Sequence, residues 1–257
     1  MSRRLFVVGG TGFVGQAVCR QALAQGWAVV SLSRHGAPPR QANAPPGIHW
    51  VRGDALNPST FAAHLHGCSA VVHSVGVLLE SNYKPLANLG STQAARQNPT
   101  QAASYEQANR DTALSVWRTA CATPGINAFA YLSAADALPG LDPRYISTKR
   151  EAEGVILKGQ GEGVRPVVVR PGFLYSSDRP VTLPIAAAVR MLGVAVHRTP
   201  LGCLLKGSPL EKAATPALNR DVLAAAIVRA LDDPHVKGIL EVADIQRLGS
   251  ENKKFIY

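Results

Sequence analysis

Apolar residues along this chain gather in short continuous runs, and stretches of helical periodicity separate these runs. Continuous apolar runs are typical of parallel strands, because helices cover both faces of such strands. The runs predict strands at residues 5–8, 28–33, 48–52, 70–73, 128–133, 165–170 and 238–242. Helical spacing of apolar residues predicts helices at residues 14–25, 58–65, 105–122, 143–158 and 220–231. The alternation indicates an α/β fold built on a doubly wound parallel sheet.

Two segments depart from this alternation. Residues 80–103 are polar and follow the fourth strand, where ligands of open α/β sheets bind, so they form either a lid or a variable surface loop. In residues 173–215 prolines and glycines interrupt apolar runs, which predicts a small subdomain on the substrate side. Arg190, His197 and the prolines argue against a membrane-spanning helix of about 20 residues there.

The chain therefore divides into two predicted regions. Residues 1–172 form a dinucleotide-binding domain, and residues 173–257 form a smaller region that contacts the substrate. In the second region, the helix at 220–231 and the strand at 238–242 return to the main fold and close the chain.

Glycines directly after the first strand provide the first chemical signal. Gly9, Gly12 and Gly15 follow this strand at three-residue spacing and precede a helix, which is the context of a dinucleotide-binding Rossmann fingerprint. Gly9 is expected to allow the tight turn, Gly12 the approach of the pyrophosphate, and Gly15 the packing of helix on strand. The predicted phosphate loop consists of Gly9, Thr11, Gly12, Phe13, Val14 and Gly15.

The end of the second strand predicts which dinucleotide is bound. NAD-binding proteins usually carry an acidic residue there for the ribose 2′-hydroxyl. This chain has Ser33 and Arg34 instead, which suit a 2′-phosphate through a hydrogen bond and a guanidinium ion pair. The expected cofactor is NADP(H) in preference to NAD(H).

A second constellation lies on the helix predicted at 143–158, which has Asp142 as its N-cap. Tyr145 and Lys149 are four residues apart and so share one helix face, and Ser133 ends the strand before it. A tyrosine ionises near pH 10 in water, and a nearby ammonium group makes it a better acid at neutral pH. Such a phenol can protonate the alkoxide that forms when a carbonyl accepts hydride.

Together with the glycines, this arrangement resembles the short-chain dehydrogenase/reductase superfamily. The resemblance covers nearly the whole chain and implies that Ser133 holds the substrate oxygen, Tyr145 is the acid or base, Lys149 supports it and binds the nicotinamide ribose, and Asn109 supports a water-linked proton path. It also implies further cofactor contacts after the third, fourth and sixth strands, at Asp54, Ala55, Ser74, Val75, Gly76, Pro171 and Gly172.

Within that superfamily, the Arg-Glu-Ala-Glu run after Lys149 and the Arg-Pro-Gly segment after the sixth strand are similar to atypical members. These include the NAD(P)H-binding accessory subunit of complex I and a fungal mitochondrial member associated with coenzyme Q (ubiquinone) biosynthesis. The similarity implies a matrix-side protein at the mitochondrial inner membrane, with a lipophilic quinone-type substrate and a coenzyme Q-synthesis complex as partners. The complex I relative implies a different function, a non-catalytic NADPH-binding scaffold or assembly factor. A nucleotide-sugar epimerase or reductase shares the architecture.

Composition adds only broad limits. The formal net charge is +10, and the basic residues are spread along the chain rather than in one tract, which argues against nucleic-acid binding. An anionic cofactor or substrate, contact with an anionic membrane, or a compartment such as the mitochondrial matrix would each fit this charge. A strand begins within five residues of the first residue, leaving no room for a transit peptide in this chain, so a cytoplasmic location stays open.

Cysteine and histidine positions indicate neither a disulfide framework nor a metal site. Four cysteines occur without CxxC spacing, and the His64-x-His66 pair has no third ligand nearby in the sequence. The cysteines are Cys19, Cys68, Cys121 and Cys203.

Overall fold

The computed structural model describes residues 3–36, 46–76, 106–136, 143–159, 163–198 and 214–250. Within them, one sheet contains the seven strands β1 Arg4–Val8, β2 Ala28–Ser33, β3 Ile48–Arg52, β4 Ala70–His73, β5 Ala128–Leu132, β6 Arg165–Val169 and β9 Gly238–Leu240. Their order in the sheet is β3-β2-β1-β4-β5-β6-β9, and every neighbouring pair is parallel. The predicted doubly wound α/β fold is confirmed.

Helices cover both faces of this sheet. The described α-helices are α1 Phe13–Ala24, α2 Ala62–Leu65, α3 Thr112–Cys121, α4 Pro143–Lys158, α5 Thr182–Arg198, α6 Arg220–Asp232 and α7 Val242–Ser250. Alternate residues of β1 face opposite layers, so that Leu5 and Val7 pack with α1, α6 and α7. Phe6 and Val8 pack with α2, α3 and α4 on the other face. All four side chains are almost completely buried, which explains why the strand reads as an uninterrupted apolar run.

Two predicted helices differ from those observed. The helix predicted at 58–65 is broken, since a 3₁₀ turn at Pro58–Thr60 is followed by Phe61, whose φ of −138° is not helical. The Phe61 ring is fully buried, and its packing outweighs helical continuity at that point. The helix predicted at 105–122 begins as a π-helix, Glu106–Asp111, and becomes regular in α3. Asp142, the predicted N-cap of α4, lies outside the described residues, as do residues 80–103.

The prediction that a strand closes the chain was wrong. β9 ends at Leu240, and the amphipathic helix α7 follows at Val242–Ser250, with Ile245 and Leu248 packed in the core. The apolar residues of α7 have helical spacing, but nine residues are too few for this spacing to distinguish a helix from the end of a strand, and the helix is stabilised by packing on α6.

The region after residue 172 contains elements of two kinds. A two-stranded parallel sheet joins β7 Leu174–Tyr175 to β8 Leu218–Asn219, and α5 lies between them in the chain. Pro184 stands in the first turn of α5, where proline does not disturb helical hydrogen bonding. By contrast, α6 and β9 belong to the main layers. No helix among the described residues has the length and hydropathy needed to cross a bilayer.

Candidate functional site

The glycine loop between β1 and α1 is closed too tightly for side chains. Gly9 has a φ of +86°, a backbone conformation that residues with a Cβ rarely adopt. A Cβ on Gly15 would lie 2.2 Å from the Gly9 carbonyl oxygen, so α1 meets this loop backbone to backbone. At Gly12 the same oxygen would be 3.1 Å from an added Cβ. These contacts fix the position of the first turn of α1.

The N-terminus of α1 presents backbone donors. Gly12 is the N-cap, and in the part of the chain that the structure describes no side chain caps the first helical N–H groups. Uncapped N–H groups at the positive end of a helix favour an anion such as a diphosphate. Thr11 contributes its carbonyl oxygen, which accepts a hydrogen bond of 2.8 Å from Gln16 Nε2 and stabilises the loop. The local chemistry therefore fits the phosphates of a dinucleotide.

Beside this helix end, the Phe13 ring lies close to two guanidinium groups. Arg179 lies 4.4 Å from the ring centre and Arg220 lies 5.0 Å from it. Arg220 is buried and bonds to Asp178 at 2.6 Å, whereas Arg179 is exposed. The sequence analysis did not identify Arg179 as a site residue, because nothing local links residue 179 to residue 13.

Ser33 and Arg34 lie at the carboxyl end of β2. Ser33 Oγ accepts a hydrogen bond of 3.0 Å from the backbone N–H of Gly36, and the side chain of Arg34 is exposed. At the end of neighbouring β3, Asp54 Oδ1 accepts from the Leu56 N–H at 3.0 Å, and Ala55 is buried. The parallel order of β2 and β3 brings these four predicted residues to the same edge of the sheet.

The loop after β4 runs against the glycine loop. Ser74 Oγ donates to the carbonyl oxygen of Val8 at 2.8 Å. A Cβ on Gly76 would lie 2.9 Å from Asn109 Oδ1 and 3.1 Å from Lys149 Nζ. The bare backbone at Gly76 thus leaves room for two of the predicted catalytic side chains to approach the same point.

Lys149 is an almost fully buried cation. Its Nζ donates to the Leu132 carbonyl oxygen at 2.8 Å and lies 5.2 Å and 5.6 Å from the ring centres of Tyr131 and Tyr145. Burial lowers the pKa of Lys149 to about 7; the nearby Glu153 carboxylate opposes this decrease, and Arg150 adds to it. The sequence analysis assumed a charged lysine, whereas here the charged and neutral forms are comparable near neutral pH.

His73, the last residue of β4, is also buried. Neither of its ring nitrogens has a hydrogen-bond partner among the described residues, and its ring centre lies 5.8 Å from that of Tyr131. Burial and the charge of Lys149 lower the pKa of His73 to about 3, so the imidazole is neutral at physiological pH.

The π-helix places Asn109 in the core. Asn109 is fully buried, and its backbone carbonyl oxygen accepts a hydrogen bond of 2.9 Å from Tyr131 Oη. A π turn disturbs the regular helical bonding pattern, and such turns occur frequently at functional sites. Tyr131 thereby ties this irregular segment to the strand that leads to Ser133.

Ser133 belongs to a network of charged side chains. Its hydroxyl donates to Glu153 Oε1, and Arg150 Nη1 donates to Ser133 Oγ at 3.2 Å. Arg170 binds the same carboxylate through Nε at 3.1 Å and Nη2 at 2.5 Å. The prediction that Ser133 donates to a substrate oxygen differs from this arrangement, in which its hydrogen is given to Glu153.

Sequence reasoning missed the site roles of Glu153, Arg150 and Arg170. One signal was present, because Glu153 follows Lys149 by four residues and so lies on the helix face that carries Tyr145. The ion pair with Arg170 joins two elements and carries no comparable signal.

A cavity of 540 Å³ connects the N-terminus of α1 with the side chains of Tyr145 and Lys149. Arg179 and Thr182 line it together with many of the predicted residues, namely Gly12, Phe13, Val14, Ser74, Val75, Gly76, Ser133, Tyr145, Lys149, Pro171 and Gly172. Ser33, Arg34, Asp54 and Ala55 lie outside this lining, at the ends of β2 and β3.

The described residues contain no cluster of three side chains able to bind a metal ion. His64 and His66 are exposed. Among the described residues, Cys19, Cys68 and Cys121 form no disulfide bond; Cys19 and Cys68 are buried and Cys121 is partly buried, and Cys203 is not among the described residues.

The sequence and the fold are similar to those of nucleotide-binding proteins. The profile of the NAD(P)H-binding family matches residues 9–234. The chain is 26% identical over 275 residues to MIOREX complex component 2 of Saccharomyces cerevisiae, and the match covers 95% of this chain and 99% of the yeast protein. It is also 26% identical over 196 residues to the 4-hydroxy-2-methyl-3-oxo-4-farnesyl-3,4-dihydroquinoline-1-oxide ketoreductase of Stigmatella aurantiaca, over 70% of this chain and 53% of that enzyme.

Among solved structures, the Bordetella bronchiseptica enzyme WbmF in complex with NAD+ has a similar fold. The TM-score is 0.62 over 96% of this chain and 77% of that chain, with 16% sequence identity. At that identity the similarity shows the fold alone.

Proposed function

The chain belongs to the NAD(P)H-binding family, and from this premise we propose that it is an NADPH-dependent oxidoreductase acting on a carbonyl or hydroxyl group. One observation carries the proposal: Tyr145 and Lys149 line the same cavity as the uncapped N-terminus of α1. An acid and a dinucleotide-binding loop on one cavity are what hydride transfer to a carbonyl requires.

The division of labour follows from the positions of the side chains. NADPH held at the N-terminus of α1 would supply the hydride for the carbonyl carbon of the substrate. Tyr145 gives its phenolic proton to the carbonyl oxygen, which completes the alcohol. The protonated form of Lys149 stabilises the resulting phenolate. The amide oxygen of Asn109 and the Nζ of Lys149 both approach Gly76, and Asn109 supports return of the proton from solvent.

NADP(H) is proposed in preference to NAD(H). The Arg34 guanidinium is exposed next to Ser33, where it can pair with a 2′-phosphate, and neither residue is acidic. Asp54 and Ala55 on the adjacent strand would contact the adenine, and Pro171 and Gly172 would border the nicotinamide.

The proposed substrate is a lipophilic quinone or its precursor, within a coenzyme Q-synthesis complex on the matrix side of the mitochondrial inner membrane. The Stigmatella relative is a ketoreductase of a farnesylated ring, which supports a prenylated substrate class. The yeast relative is a complex component, which supports an assembly partner.

We also propose peripheral contact with an anionic membrane through α5. Leu183, Ile185, Met191 and Val194 of this helix are exposed, and Arg190 stands among them on the exposed surface. Apolar side chains beside a cation suit the interface of an anionic bilayer. Flotation with cardiolipin-containing vesicles should show binding at low salt and loss of binding in Met191→Glu. Equal flotation of both proteins would contradict a role for α5.

A non-catalytic NADPH-binding scaffold is the second candidate, favoured by the complex named for the yeast relative. Complementation of cells that lack the gene distinguishes the enzyme from the scaffold. Tyr145→Phe removes one hydroxyl, whereas Gly12→Val obstructs the phosphate loop. An enzyme requires both residues for quinone synthesis, and a scaffold requires only Gly12. Full rescue by Tyr145→Phe would overturn the catalytic proposal.

The same substitution gives a direct kinetic expectation. With purified protein and an active quinone substrate, Tyr145→Phe should lower turnover by roughly 10²–10⁴ while NADPH affinity, measured by calorimetry, changes little. Tyr175→Phe, in β7, is the matched control and should keep the original rate.

A further inference from the structure

The direction of the Ser133 hydroxyl follows from its two partners. An ionised carboxylate can only accept hydrogen bonds and a guanidinium can only donate them. Ser133 therefore donates its one hydrogen to Glu153 and accepts a hydrogen bond from Arg150. Since a substrate carbonyl oxygen is also only an acceptor, Ser133 cannot donate to it while Glu153 holds this hydrogen.

The surroundings of Glu153 favour its retention of the hydrogen bond from Ser133. Its side chain is 3% exposed, and both of its oxygens are bound by Arg170. Burial raises the pKa of this carboxyl, but hydrogen bonds from Arg170 and Ser133 and the charges of Arg150 and Arg170 outweigh burial and hold the pKa below its ordinary value. A hydrogen bond to a charged acceptor is also stronger than one to a neutral carbonyl.

We propose that Glu153 is a positioning residue of this site: it turns the Ser133 hydroxyl hydrogen away from the substrate, so that Tyr145 rather than Ser133 protonates the substrate oxygen. The second half of this inference depends on the proposed oxidoreductase function, whereas the coupling of Glu153 to Ser133 does not. Arg150 and Arg170 hold Glu153, and the Arg150 bond to the Ala134 carbonyl oxygen, at 2.8 Å, fixes the strand end that bears Ser133.

A double-mutant cycle tests the coupling without any substrate. Urea unfolding midpoints are measured for the wild type, Ser133→Ala, Glu153→Gln and the double variant. Each single variant should unfold at lower urea, and the shift of the double variant should be smaller than the sum of the two single shifts, because the charge-assisted hydrogen bond from Ser133 to Glu153 can be lost only once. Additive shifts would overturn the proposal.

Ser74 offers the matched control. It also ends a parallel strand and lines the cavity, but its hydroxyl donates to the Val8 carbonyl oxygen. Ser74→Ala combined with Glu153→Gln should therefore give additive shifts. Should Glu153→Gln fail to fold, Glu153→Asp, which keeps the charge but shortens the reach, replaces it with the same expected coupling.

Two further measurements distinguish positioning from a purely structural role. By lysine side-chain NMR, Glu153→Gln should lower the ionisation midpoint of Lys149, since the Glu153 charge favours the ammonium form, and Ser133→Ala should leave the midpoint nearly unchanged. An unchanged midpoint in Glu153→Gln would contradict the electrostatic role of Glu153.

Turnover supplies the second measurement. With NADPH and the soluble quinone menadione as probe, Ser133→Ala should lower the rate less than tenfold, whereas Tyr145→Phe lowers it at least a hundredfold. Equal losses in the two variants would overturn the proton-transfer part of the inference. Absence of turnover in the wild type would count against the proposed function, and the stability cycle would still decide the role of Glu153.

Discussion

The two ends of the cavity are formed by different kinds of chemical group. The phosphate end uses backbone: residues 9–19 carry no charged side chain, and α1 presents uncapped N–H groups. The opposite end uses buried charge, with Lys149 and Glu153 both almost fully enclosed. A backbone site needs glycines to bring the chain close, whereas a charged site needs partners that compensate the cost of burial.

The difference also concerns distance along the sequence. Gly9, Gly12 and Gly15 lie in one continuous segment between β1 and α1. The position of the Glu153 carboxylate, by contrast, depends on Ser133 and Arg170, which belong to other elements. Arg170 in turn bonds to Glu241, beyond β9, at 2.8 Å. A local substitution can therefore disable the phosphate end alone, whereas a change at the charged end disturbs several elements together.

Among the substitutions that test this comparison, Gly12→Val is expected to have the largest effect, which is on NADPH binding at the phosphate end. A branched side chain would stand where the pyrophosphate approaches, and even a Cβ would lie 3.1 Å from the Gly9 carbonyl oxygen. We expect NADPH binding below detection by calorimetry with an unchanged far-UV spectrum. Gly154→Ala, at a position in α4 with open space, should bind normally. Normal NADPH binding by Gly12→Val would show that the phosphates bind elsewhere.

Arg34→Ala sharpens the comparison, because Arg34 is a charged side chain at an end of the cavity that is otherwise made of backbone. A charged hydrogen bond contributes about 1.5–3 kcal/mol, so NADPH affinity should fall by roughly one to two decades while NADH affinity stays constant. The exposed Arg118, on α3, gives the control variant Arg118→Ala. If NADH and NADPH bind the wild type equally, the proposed 2′-phosphate contact does not exist.

Lys149→Met tests the charged end of the cavity through the pH dependence of the free energy of unfolding. The lysine pKa falls from 10.5 to about 7 on folding, chiefly by burial. Below pH 7 both states are protonated and the burial cost is complete; between pH 7 and 10.5 the unfolded state binds more protons, so this residue makes folding more favourable as pH rises.

The gain attributable to Lys149 should be about 2 kcal/mol between pH 7 and pH 9, and Lys149→Met should abolish it. Lys158→Met, an exposed position on the same helix, should keep the wild-type dependence in urea unfolding. Identical pH dependence in the wild type and Lys149→Met would mean that Lys149 keeps its ordinary pKa in the folded protein.

Local patterns in the sequence determined the sheet, the glycine loop and the spacing of Tyr145 and Lys149. Apolar runs specify buried strands, and an interval of four residues places two side chains on one helix face, so neither inference requires knowledge of distant residues. The sequence analysis did not predict the short helix α7, because nine residues give too few repeats of its apolar spacing to identify a helix.

Only the tertiary structure decided which groups are buried together. The Ser133 hydroxyl could point to a substrate or to a carboxylate, and the choice depends on Glu153, held by Arg150 and Arg170. Lys149 has an ordinary sequence context, yet burial beneath the rings of Tyr131 and Tyr145 changes its ionisation. Hydrogen-bond direction and pKa depend on neighbours and on exclusion of water, and both are properties of the packed fold.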